Sequence, residues 1–123
     1  MADTIKLESI EQWEGLKKDI ASEGELIIFK YSPVCPISSM VEDDLNSWLQ
    51  GLPLNYILKC AKLNVVESKE VSVKIADDLN IKHESPQLIW LTAGLQVKWS
   101  GSHYDINKNK LKANFNKGSE IKL

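Results

Sequence analysis

The apolar residues of this chain change their spacing from one segment to the next, and that alternation restricts the fold more than any other feature. "ELIIFKY" (Glu25–Tyr31) is a short, unbroken apolar run rich in strand formers, the pattern of a strand buried on both faces. On either side of it the spacing turns helical. Ile10, Trp13, Leu16 and Ile20 share one helical face before it, and Ile37, Val41, Leu45, Trp48 and Leu49 share one after it. Ser9 and Gln12 have the spacing of a capping box, and the helix they open is expected to end near Gly24. Pro36 opens the second helix, and Gly51 and Pro53 close it. "LNYILKCAKLNV" predicts another strand, and Val71, Ile75 and Leu79, spaced by four after Ser68, predict a third helix. "PQLIWL", a turn at "TAG" and "LQVKWSG" predict a β-hairpin. Ile106, Leu111 and Phe115 mark a last helix, the polar tail 116–123 is expected to fray, and "TIKL" is a candidate strand at the front.

The order αβαβαββα implies an α/β fold: a mixed, mostly parallel sheet with helices on both faces and an antiparallel edge supplied by the closing hairpin. It is the order of a thioredoxin-like fold. With 123 residues, the chain is expected to form one domain over 1–123, large enough for a core without disulfides or metals. The formal net charge of -2 leaves no basic footprint for nucleic acid, and no apolar run is long enough for a bilayer, so neither partner is expected. The start, "MADTIKLESIEQWEG", has no secretory signal pattern, and two cysteines in such a chain fit a reducing cytoplasm. There, a cysteine serves packing or reactivity rather than a structural bridge.

Cys35 is the residue with a chemical use. In "FKYSPVCPISSM" it stands where the strand ends and the helix begins, at the N-cap, with Pro36 at the first helical position. The free N–H groups of Ile37 and Ser38 and the helix dipole favour negative charge at that point. Cysteine at a helix N-terminus is held toward the thiolate, the nucleophile of thiol–disulfide exchange. Packing alone is the plainer reading of such a cysteine, but the strand–Cys–Pro–helix setting favours the nucleophile. Ser38, three residues on, can hydrogen-bond the thiolate but cannot close a disulfide, which points to monothiol chemistry with the second thiol supplied from outside. Cys60, inside its strand, reads as a small buried residue. The Cys/His set lacks metal-ligand spacing, so no bound metal or other cofactor is expected.

A second signal is "KHESPQLIWL", where Pro86 stands directly before a buried strand. In thioredoxin-like folds a proline at this place is cis and faces the active cysteine, which makes Ser85 and Pro86 candidate substrate-binding residues. Taken together, "FKYSPVCPIS", "HESPQLIWL" and "GSHYDI" resemble the YtxJ-like family of monothiol bacilliredoxins. Phe29, Lys30, Ser32, Cys35, Pro36, Ile37, Ser38, His83, Glu84, Ser85, Pro86, Gln87, Ser102 and His103 match its pattern. Tyr31 stands where the family has histidine, and Lys69 where it has arginine.

The resemblance implies an enzyme that removes a low-molecular-weight thiol, bacillithiol in that family, from mixed disulfides on oxidised client proteins. Cys35 would be catalytic, and the small thiol a co-substrate. The residues themselves do not distinguish bacillithiol from glutathione or coenzyme A. A glutathione-type monothiol enzyme, or a binding module with an unreactive Cys35, are the alternatives. Lys30 and His83 are candidates to stabilise the thiolate alongside Ser38 and Ile37, and Pro36 and His103 to contact substrate. Against these stand a solvated strand lysine and loop histidines without a role. Glu42, Asp43 and Asp44 read as a solvated helix face, and Trp13, Trp48, Trp90 and Trp99 as core.

Overall fold

The computed structural model describes residues 3–21, 24–53, 56 and 58–121, with side chains from Thr4 to Phe115. Five strands and four helices follow in the order β1 (Asp3–Lys6), α1 (Ile10–Asp19), β2 (Glu25–Tyr31), α2 (Pro36–Gln50), β3 (Leu58–Asn64), α3 (Lys69–Leu79), β4 (Gln87–Thr92), β5 (Gln96–Ser102) and α4 (Lys108–Ile121). Of the stretch expected to lead into β3, Leu54, Asn55 and Ile57 lie outside the described residues. The strands form one sheet in the order β1-β3-β2-β4-β5. β1, β3 and β2 run parallel to one another, β4 is antiparallel to β2, and β5 is antiparallel to β4.

The period-two pleat sorts the core into two layers. Ile27 and Phe29 of β2 point to the face covered by α2 and α4, where they meet Val41, Leu45, Trp48, Cys60, Leu88, Trp90 and Leu111. Leu26 and Ile28 point to the other face, covered by α1 and α3, where they meet Trp13, Leu16, Ala61, Leu63, Ile75 and Ile89. All four β2 residues are fully buried, which is why that strand reads as a continuous apolar run instead of an alternating one. At its tip the β4–β5 hairpin turns through Gly94 at φ 74°, a conformation that glycine adopts without a Cβ penalty.

The capping box at α1 is complete: Gln12 N–H donates to Ser9 Oγ at 3.1 Å, and Ser9 N–H donates to Gln12 Oε1 at 3.2 Å. The helix ends at Asp19, earlier than the Gly24 signal suggests. A carbonyl at its C-terminus is satisfied from outside the helix, where the Gly94 N–H of the β4–β5 turn donates to the Ile20 carbonyl at 3.0 Å. α4 runs on to Ile121, through the polar stretch expected to fray, since backbone helix hydrogen bonds need no apolar side chain. Residues 122 and 123 lie outside the described residues.

Three tryptophans are core as expected, Trp13 and Trp90 fully so and Trp48 at the edge of burial. Trp99 is only half-buried; its ring lies against Gly101, where an added Cβ would sit 2.6 Å from it. The acidic stretch of α2 is not uniformly solvated either. Glu42 Oε2 accepts from Lys62 Nζ at 2.7 Å, because Lys62 of β3 points to the α2 face and also reaches Asn46.

Candidate active site

The site is assembled where β2 ends. Tyr31, the last residue of β2, is level with Asn64, the last of β3, and the Val65 N–H donates to the Tyr31 carbonyl at 2.9 Å. The chain then makes a tight turn, with Cys35 N–H donating to the Ser32 carbonyl at 3.2 Å, and enters α2. Cys35 is the N-cap, extended at φ -101° and ψ 117°, and Pro36 occupies the first turn. The ring fixes φ at a helical value and gives up only an N–H that the helix could not have used.

Cys35 is half-buried, and its thiol is held below its ordinary value. The Ser38 N–H contributes most, followed by a smaller opposing effect of desolvation, then the Ile37 N–H and the Ser38 hydroxyl. Neither N–H makes a full capping bond to the sulfur; the Ser38 N–H is shared with the Cys35 carbonyl at 3.1 Å. Ser38 is itself buried, and its Oγ accepts the Ser32 N–H at 3.2 Å. That bond ties the turn to the helix while leaving the hydroxyl proton free to point at sulfur. The Ser38 and Ile37 N–H groups and the Ser38 hydroxyl thus all act to lower the Cys35 thiol.

Antiparallel β4 starts at the same end of the sheet, since Lys30 is level with Gln87. The Ser85–Pro86 peptide is cis, Pro86 is buried, and its carbonyl accepts the His103 N–H at 3.0 Å. Ser85 Oγ is buried without a hydrogen-bond partner among the described residues. His103 takes the left-handed conformation, φ 53°, to make its bond, and its residue is exposed beside Tyr104. Val34 is 84% exposed immediately before Cys35, and Pro36 is exposed after it, so the thiol opens onto a partly apolar surface.

Two expected thiolate partners are elsewhere. Lys30 points to the α1/α3 face, opposite the helix that Cys35 caps, and is fully buried rather than solvated. Its Nζ donates to the Ser72 carbonyl of α3 at 3.1 Å and lies 3.4 Å from His83 Nδ1. The reason is the pleat: residues of β2 alternate between faces, and position 30 shares its side with Leu26 and Ile28. Lys30 and His83 thus pair with each other and with Ser72, and neither is among the groups that lower the Cys35 thiol. Ser72 carries no sequence signal beyond its place one turn after Ser68. Among the described residues no group of three or more His, Cys, Asp or Glu side chains could hold a metal ion.

The profile of the family described as monothiol bacilliredoxin BrxC matches residues 5–111. The chain belongs to the monothiol bacilliredoxin family. Among solved structures, it is similar to a protein provisionally named an oxidoreductase with a thioredoxin fold: 30% identical, covering 90% of this chain and 92% of that one, TM-score 0.75. It also resembles the thioredoxins of Malassezia sympodialis (16% identity, 94% and 89% coverage, TM-score 0.67) and Fasciola hepatica (14%, 91% and 96%, TM-score 0.68). At those identities the likeness concerns the thioredoxin fold. Family and fold together make this bacilliredoxin a thiol–disulfide oxidoreductase. None of its described helices is long and apolar enough to cross a membrane.

Proposed function

We propose that this bacilliredoxin removes bacillithiol from mixed disulfides on oxidised client proteins in the cytoplasm, with Cys35 as the only catalytic thiol. The observation that carries the reading is the Cys35 thiol at the α2 N-terminus, lowered by Ser38 and Ile37, with a serine one turn further on. The Cys35 thiolate attacks the bacillithiol sulfur of a client–S–S–bacillithiol adduct. The old disulfide breaks, the client sulfur leaves as a thiolate and takes a proton from water, and Cys35 carries the small thiol as a new mixed disulfide. A second thiol then attacks that disulfide and returns Cys35 to the thiolate, so electrons balance without a bound cofactor. Ser38 cannot resolve the intermediate, which is why the second thiol must come from solution.

An extended client segment would lie along the Ser85–Pro86 backbone, adding a strand-like pairing at the end of β4. Pro36 and His103 would border it, and the exposed Val34 and Tyr104 would cover its apolar side chains. The test loads one client protein separately with bacillithiol, glutathione and coenzyme A, and follows release by mass spectrometry. Fastest release of the bacillithiol adduct is expected. Equal or faster release of another adduct overturns the choice of thiol, and no release of any overturns the enzyme reading.

A further inference from the structure

A polar cluster lies beneath the segment that leads into β4, on the sheet face opposite α2. Lys30, Ser72 and Gln87 are all buried, at 0, 2 and 3% exposure. Lys30 Nζ donates to the Ser72 carbonyl at 3.1 Å and lies 3.4 Å from His83 Nδ1, and Ser72 Oγ lies 3.0 Å from the same nitrogen. Gln87, directly across from Lys30 in the β2–β4 register, donates through Nε2 to the Lys82 carbonyl at 2.9 Å. The segment before Ser85 and Pro86 is therefore tied down twice, through the Lys82 backbone and through the His83 ring.

The second tie depends on a proton. An ammonium is only a donor, so a bond from Lys30 to His83 requires the Nδ1 lone pair, with the ring proton on Nε2. Protonating Nδ1 sets a donor against a donor and brings two cations within 3.4 Å in a part-buried setting. His83 is exposed as a residue, but desolvation on the side of the ring that meets the cluster first, and the Lys30 charge second, hold it below its ordinary value, while Glu84 acts in the opposite sense. From α3 the ring faces the uncharged Ser72 hydroxyl, which donates to a bare Nδ1 or accepts from a protonated one, so the proton sensitivity lies in the Lys30 contact. Burial pushes Lys30 itself down to about 8, so near neutral pH it remains largely the cation.

We propose that Lys30 and His83 form a proton-sensitive latch that positions the Lys82–Pro86 segment, so that acid loosens the surface engaging an extended client. Both are positioning residues, acting on client recognition and not on the Cys35 thiolate. The inference rests on the thiol-transfer reading above and adds a regulation to it. It sets a lower pH limit on protein substrates that small disulfides do not share.

The experiment compares two substrates of the full chain between about pH 5 and 8, the range in which histidine titrates. One is the disulfide of 2-mercaptoethanol; the other is an extended peptide cysteine carrying 2-mercaptoethanol as a mixed disulfide. Loss of Cys35 thiolate in acid slows both alike, so the ratio of their kcat/KM values isolates the peptide contacts. The ratio should fall about threefold or more on acidification, the lower range of what one lost hydrogen bond is worth. In His83→Asn, which keeps a side-chain acceptor but gains no proton, the ratio should be flat with pH. Independently of activity, NMR titration of the His83 ring should show a higher midpoint in Lys30→Met. A flat ratio in the natural chain, a fall that persists in His83→Asn, or a ring midpoint unmoved by Lys30→Met overturns the latch. No reaction with either substrate at any pH overturns the thiol-transfer reading instead, and the ring titration still decides whether the latch exists.

Discussion

The two cysteines of this chain carry the same side chain and are driven in opposite directions. Cys35 sits at the end of the sheet and the start of α2, where backbone N–H groups face its sulfur and hold the thiol down. Cys60 is fully buried in β3, level with Ile27, and burial pushes its thiol up to about 12. The nearby Lys62 charge lowers it and the Glu42 charge raises it, both less than burial does. The difference is one of position along adjacent parallel strands. Cys60 lies four residues below Asn64, which is level with Tyr31, while Cys35 lies four residues beyond Tyr31. Peptide dipoles converge at a strand–helix junction, whereas in the strand interior the N–H groups are spent on the sheet. The opposite directions of the two thiols therefore follow from where each cysteine sits relative to the backbone N–H groups at the start of α2.

The largest effect should come from exchanging the two positions' fates. Cys35→Ser should reduce thiol release from a mixed-disulfide client to the uncatalysed background, because no other described thiol can take over. Measurable turnover by that variant in the client-release assay would break the assignment.

Alkylation of the folded chain by iodoacetamide should come next in size. At neutral pH a thiol near pKa 12 is ionised only to about one part in a hundred thousand, so modification should fall on Cys35 alone by more than about a hundredfold. The sign with pH follows from the direction of each shift. Cys35 should lose reactivity as pH falls through its lowered pKa and level off before the ordinary cysteine range is passed. Cys60 should stay silent through that range and react only when the chain is unfolded. Peptide mapping after brief labelling checks both, and early labelling of Cys60 would contradict its burial.

The smallest effect concerns stability. Cys60→Ala removes one buried sulfur from the layer beneath α2 and should cost about 1–2 kcal/mol in urea unfolding, with thiol release retained. A loss of turnover matching that of Cys35→Ser, at unchanged stability, would give Cys60 the part here assigned to solution thiol.

Much of this contrast is legible in the amino-acid sequence. Pro36 after Cys35 identifies a helix start, and Ser38 one turn later excludes an internal disulfide with its neighbour, both within four residues of chain. The apolar run around Cys60 places it inside a strand. Lys30 is the opposite case, because its sequence position suggests a partner for the thiolate that it does not become. It stands in "FKYSPVC" only five residues from Cys35, yet the pleat sends it to the other face of the sheet. Glu42 groups with Asp43 and Asp44 in the sequence because nothing in α2 reveals that Lys62 will rise beneath it.

Periodicity, caps and the residues flanking Cys35 are local, and the sequence by itself determined them: the order of elements, the site of the thiol, and its monothiol character. The backbone meets those demands within one turn or one strand, whatever lies around it. Tertiary structure alone decided that Lys30 pairs with Ser72 and His83, that Lys62 meets Glu42, and that the β4–β5 turn bonds the Ile20 carbonyl at the end of α1. Those contacts join residues 20 to more than 70 positions apart. The two lysine contacts depend on strand register and on which face a side chain takes, and a shift of one residue would move each lysine to the other face.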